Sequence, residues 1–90
     1  MTGPLDIRRR RIGFRCWHRG SREADLLLGR FAERCLPDLD AGGLDQLETL
    51  LEQPDPDIWD WVIGRKTVPQ EFATPVMARL IELSNELRTR

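Results

Sequence analysis

From Ala24 to Leu36 the apolar residues recur at helical spacing. Projected at 100° per residue, Ala24, Leu27, Leu28, Phe31 and Cys35 fall within roughly 100° of arc. A stripe of that width is stable only when other elements cover it. The rest of the chain offers helices for the purpose and no segment with the two-residue alternation of a strand. Ninety residues bury somewhat more than roughly 60% of their unfolded surface, which allows one modest core. The expected fold class is therefore all-α: a single domain, a compact bundle of five short helices.

Punctuation residues set the expected boundaries. Residues 1–6 are read as a disordered N-terminus, and 7–90 as the helical domain. The first helix is expected over about Ile7–Trp17 and the second over Arg22–Leu36. Pro37 and Gly42-Gly43 bracket a loop, and a third helix follows over Leu44–Glu52. Pro54-Asp55-Pro56-Asp57 is a stop and restart, with Asp55 as cap and Pro56 at the first position of a fourth helix ending near Ile63. Residues 65–69 read as a linker, and Thr74-Pro75 opens a fifth helix as cap and first position.

Net charge is −1, so bulk charge points to neither nucleic acid nor membrane. Its distribution is uneven. Seven of the 14 basic residues lie between Arg8 and Arg22, and eight acidic residues with no basic one lie between Asp38 and Asp60. If the first helix continues through Arg19, then Arg8, Arg11, Arg15 and Arg19 form a basic stripe about 80° wide. Cys16 and Cys35, with no CxxC and a single histidine, do not make a metal site; they read as small buried hydrophobes in a reducing compartment. His18 follows Cys16 by two positions, which separates their side chains on a helix and disfavours a nucleophilic dyad. No phosphate loop and no run of ~18 apolar residues is present. The chain is expected not to be an enzyme, to hold no metal, and to be bacterial and cytoplasmic.

One pentapeptide is more than punctuation. In Arg19-Gly20-Ser21-Arg22-Glu23, Gly20 suits a helix-ending left-handed turn, and Ser21 or Gly20 can cap the second helix with Glu23 in its first turn. A corner needs the glycine but not the arginine. Arg19 beside Trp17 is a pairing typical of interface hot spots. Leu26 projects to the outer side with Glu23, Arg30 and Glu33; either a partner or a neighbouring helix covers it.

The pentapeptide resembles the RGxxE signature of the FAD assembly factor family, SdhE in bacteria with mitochondrial relatives. Trp17-His18-Arg19-Gly20 with Asp25-Leu26-Leu27-Leu28-Gly29-Arg30-Phe31 is similar to that family's first two helices. Leu50-Leu51-Glu52 with Asp55-Pro56-Asp57-Ile58-Trp59-Asp60-Trp61 is similar to its DPD-x-x-x-W segment, and Thr74-Pro75-Val76 also fits. The resemblance spans about residues 8–88. It implies a small helical assembly factor that binds the flavoprotein subunit of succinate dehydrogenase, in bacteria often that of fumarate reductase, and promotes covalent attachment of FAD to a histidine of that subunit. The chain would hold no FAD tightly itself, act as a monomer, and not insert into membranes. Arg19, Gly20 and Glu23 occupy the motif positions. The partner-binding set expected around them adds Arg8, Arg11, Arg15, Trp17, Leu26 and Arg30, with the arginine stripe steering docking onto an acidic surface. The alternative is a small regulatory module, of antitoxin or nucleic-acid-binding type, using the same stripe.

Overall fold

The computed structural model describes residues 3–88. Five α-helices follow in order: α1 (Pro4–Trp17), α2 (Arg22–Cys35), α3 (Ala41–Leu51), α4 (Asp55–Val62) and α5 (Pro75–Arg88). Single 3-10 turns stand at Leu36–Asp38 and Gln70–Phe72. No strand occurs among the described residues, so the all-α reading holds.

Local chemistry moves several boundaries. α1 starts at Pro4 rather than Ile7. Proline at the first helical position loses no useful N–H, and the Asp6 carboxylate accepts from the Gly3 N–H at 3.2 Å. Residues 4–6, expected to belong to a disordered N-terminus, are thus helical, while Met1 and Thr2 lie outside the described residues. α3 starts at Ala41, so Gly42 and Gly43 form its first turn instead of a loop. The Asp40 carboxylate caps it, accepting from Gly43 N–H at 2.9 Å. A cap contributes about 1 kcal/mol, comparable to the cost of one helical glycine. α4 starts at Asp55, with Pro54 preceding it. Asp55, expected to cap this helix, is its first residue, and its carboxylate accepts from Arg19 Nε at 2.7 Å instead. The fifth start is as read: Thr74 Oγ1 accepts from Met77 N–H at 3.2 Å, and Pro75 is first. The Gln70–Phe72 turn had no sequence signal; it seats Phe72 on Trp61, ring centroids 5.0 Å apart.

α2 packs on α1 and α5, α3 on α1 and α5, and α4 on α5. The centre is filled by Leu28 and Phe31 of α2, Leu44 and Leu47 of α3, and Leu80 of α5. Each such side chain contributes roughly 1.5–3 kcal/mol by burial. α1 buries only Ile12 and Cys16, so polar contacts must help to orient it. Both cysteines are free and buried, as the sequence reading held. Burial pushes the Cys16 thiol up to about 11, against the opposing charges of Arg19 and Arg15.

Candidate functional site

The α1–α2 corner is built by two interlocked clamps. α1 stops at Trp17, and Gly20 takes φ 105°, a left-handed conformation that costs a side-chain-bearing residue about 1–2 kcal/mol. Ser21 is the cap of α2, its hydroxyl accepting from Ala24 N–H at 3.3 Å. Glu23 therefore sits in the first turn and not in a capping-box position. The first clamp is Asp25. Its Oδ1 accepts from the backbone N–H of Arg19 at 2.6 Å and of Gly20 at 3.3 Å. The second is Arg19. Its Nε donates to Asp55 Oδ1 at 2.7 Å, and its two terminal nitrogens donate to the carbonyls of Leu51 at 2.7 Å and Gln53 at 2.9 Å. These carbonyls are orphans at the end of α3 and in the turn to α4. Arg19 thus closes one helix and pins the first residue of the next.

This gives Arg19 a structural role beside the one expected for it. Its side chain is only 12% exposed, and it works for the fold before any partner arrives. Because α1 ends two residues earlier, Arg19 is not on the helical projection at all; the corner carries it to the same seam. Two of the other three stripe arginines also have partners within the fold. Arg8 pairs with Asp45 and Glu48, and Arg15 with Glu52 at 3.2 Å. Asp45 and Glu48 on one face of α3, with Glu52 just past its end, have the spacing that meets arginines seven apart on α1. The basic and acidic segments neutralise one another across this seam. The two hydrogen-bonded carboxylates raise the Arg8 pKa further above its ordinary value. Arg11 alone of the four stays exposed without an ion pair among the described residues. A nucleic-acid reading that needs the whole stripe loses three of its four cations.

Trp17 is half-buried against Gly29: a Cβ on Gly29 would lie 2.3–2.6 Å from three atoms of the indole ring. The Arg30 guanidinium stands 6.0 Å from the Trp17 ring centroid and also pairs with Glu33 at 3.3 Å. Both residues consequently serve the α1–α2 contact. Leu26 is exposed, as projected.

Two motif positions remain outward. Gly20 has nothing within 4 Å of where a Cβ would be, so its backbone is open to approach. Glu23 is exposed and has no hydrogen-bond or ion-pair partner among the described residues. Both border a cleft of about 640 Å³ between the corner and α4, with Ser21, Ala24, Pro56 and Trp59 in its wall beside the Arg19–Asp55 pair. The cleft thus presents one carboxylate without a partner among the described residues, a glycine with no crowding at its Cα, and an indole. No cluster of potential metal ligands occurs among the described residues, and no described helix is long and apolar enough to cross a membrane.

Sequence reasoning missed Asp25, Asp55, Pro56 and Trp59 as parts of this site. Asp25 carried a usable signal: it projects onto the side of α2 that holds Gly29 and Ala32, where a lone carboxylate needs a partner. Nothing local marked Asp55, whose partner lies 36 positions away.

Comparison with known proteins shows the family. The family model described as flavinator of succinate dehydrogenase matches residues 10–84. The FAD assembly factor SdhE of Acetobacter pasteurianus is 45% identical over 78 residues, covering 87% of this chain and 72% of that protein. The mitochondrial succinate dehydrogenase assembly factor 2 of Dictyostelium discoideum is 41% identical over 69 residues, 77% of this chain and 49% of that protein. Its Culex quinquefasciatus counterpart is 37% identical over 81 residues, 88% and 51%. The chain therefore spans about half the length of these mitochondrial relatives.

Proposed function

The chain belongs to the family of flavinators of succinate dehydrogenase, and we propose that it works as a docking protein whose corner engages the flavoprotein subunit of succinate dehydrogenase while FAD becomes covalently attached to that subunit. The observation that carries this reading is the division of labour at the corner. Arg19 and Asp25 are turned inward and rigidify it, and Asp25 holds the Gly20 N–H, while the exposed Glu23, with no partner among the described residues, and the uncrowded Gly20 Cα border an open cleft. A rigid, preorganised surface loses less entropy on binding.

The flavin is the partner's. The backbone N–H groups of Arg19 and Gly20, which could have cradled a pyrophosphate, are already bound by Asp25, and the free carboxylate of Glu23 repels one. The histidine that receives the flavin is also the partner's. His18 has its ring stacked on Phe14 and its Nδ1 bound to the Phe14 carbonyl at 2.7 Å. The chain therefore supplies no catalytic side chain. It holds a partly assembled flavoprotein so that its histidine and flavin meet, and positioning of this kind contributes on the order of several kcal/mol to a barrier. We extend the reading to the fumarate reductase flavoprotein, to a monomeric chain and to the bacterial cytoplasm.

The test is co-expression with the succinate dehydrogenase flavoprotein in a host lacking any such factor, with covalent flavin read by in-gel fluorescence after denaturation. Glu23→Ala is the cleanest variant, because Glu23 has no hydrogen-bond or ion-pair partner among the described residues and loses only its place near the positive end of α2. Strong fluorescence with wild type and little with Glu23→Ala is expected. Equal fluorescence with and without the chain refutes the function; equal fluorescence for both proteins refutes the site. Gly20→Arg is less clean, since its φ strains the corner whatever the partner does.

A further inference from the structure

The outward face of α1 is apolar and cationic where a solvated helix should be merely polar. Ile7 and Phe14, two turns apart and opposite the buried Ile12 and Cys16, are 48% and 65% exposed. Phe14 is not loose. It stacks on His18 at 4.0 Å with planes 16° apart, and the His18 Nδ1 contact to the Phe14 carbonyl ties the imidazole down. The phenyl ring is held from one side and open on the other. Arg10 and Arg11 lie between Ile7 and Phe14. Of the five arginines of α1, Arg8, Arg9 and Arg15 each meet a carboxylate, whereas Arg10 and Arg11 meet none among the described residues. The ridge from Ile7 to His18 is about 17 Å long at 1.5 Å per residue, and it runs straight into Arg19–Gly20.

We propose that this ridge is a second docking surface, and that an acidic amphipathic helix on the same flavoprotein covers it; this rests on the reading of the corner as the flavoprotein site. The charge argument fixes the sign. Covering Ile7 and Phe14 also covers two guanidinium groups, and such a desolvation is unfavourable unless the partner brings carboxylates. The spacing fixes the shape. Side chains at i, i+3, i+4, i+7 and i+11 form a ridge that fits the groove of another helix. Two free cations are few for an anionic lipid surface, which is held by clusters of basic side chains.

The experiment titrates the full chain against the purified flavoprotein subunit by calorimetry, with stopped-flow association at low and physiological salt. The variants are Arg10→Glu with Arg11→Glu, Phe14→Ser, and Glu23→Ala. All change exposed side chains, and thermal melts check that the fold is kept. The double reversal is expected to weaken binding about tenfold or more and to flatten the salt dependence of association. Phe14→Ser is expected to raise dissociation about tenfold. Wild-type affinity in both ridge variants, with Glu23→Ala still weak, overturns the ridge and leaves the corner standing. No complex with wild type overturns both. Three control arms complete the test: vesicles carrying anionic lipid, a random DNA duplex, and sedimentation of the chain alone. Ridge variants that lose lipid or DNA binding, or self-association, while keeping the flavoprotein, overturn the proposal in favour of that occupant.

Discussion

Arg19→Ala separates a clamp from a contact residue. In the folded chain the guanidinium makes three charged hydrogen bonds, one of them to a carboxylate. Losing one partner of a buried ion pair costs about 3–5 kcal/mol, whereas an exposed pair is worth about 0–1 kcal/mol. Arg19 and Asp55 side chains are 12% and 21% exposed, so the pair lies nearer the buried limit but is partly screened. The carbonyls of Leu51 and Gln53 lose a charged donor, and water entering the vacated space recovers part of that. A net cost of about 3 kcal/mol follows. For a domain of this size, 1 kcal/mol moves the midpoint by about 4–8 °C, so Arg19→Ala should melt about 12–24 °C below wild type. Arg19→Lys, which keeps the charge but cannot reach all three acceptors, should lose about half as much. Circular dichroism and tryptophan fluorescence in urea measure this, with an unchanged m-value confirming that stability alone has moved. An Arg19→Ala protein that melts within 2 °C or so of wild type yet binds the flavoprotein about tenfold more weakly would refute the clamp.

Gly29→Ala should destabilise by about 1–3 kcal/mol although alanine favours helix by about 1 kcal/mol, because the Trp17 ring must swing away from the new methyl; a higher urea midpoint would show that the ring is not where the structure has it. Asp25→Ala should cost about 1–3 kcal/mol and speed amide exchange at Gly20, while Asp25→Asn keeps most of both; equal exchange in all three proteins would remove Asp25 from the corner. With its thiol raised by burial from 9.0 to about 11, Cys16 should resist alkylation at pH 8 in the folded chain and react once urea unfolds it. The same shift gives a signed pH dependence. The folded chain holds the proton longer than the unfolded one, so this contribution is full below pH 9.0 and is lost as pH rises through about 11. A urea midpoint that does not fall over that range would contradict it.

Much of this protein is local and therefore legible. The apolar period of α2, the Thr74-Pro75 start and the left-handed Gly20 depend on chemistry within a few residues, and each appears where the sequence puts it. Boundaries failed where two local signals competed. At Gly42-Gly43 the glycines argued for a loop, but the Asp40 cap and the burial of Leu44 prevailed. The corner was legible as a place and illegible as a mechanism. Glu23 and Leu26 project outward on α2 and are outward. Arg8, Arg11, Arg15 and Arg19 make one stripe on a helical wheel, but a wheel shows which side chains share a face and not what that face meets.

By itself, then, the sequence determined the helices, their apolar faces, the glycine turn and the family signature, since all of these follow from spacing along one chain. Only the tertiary structure decided which charges are free. Asp45, Glu48, Glu52 and Asp55 meet arginines more than 30 positions away because α3 and the start of α4 fold back along α1. A charge is satisfied or left for a partner according to what lies within a few ångströms of it. Along α1 and the corner, that neighbourhood leaves Arg10, Arg11, Arg22 and Glu23 without an ion pair among the described residues.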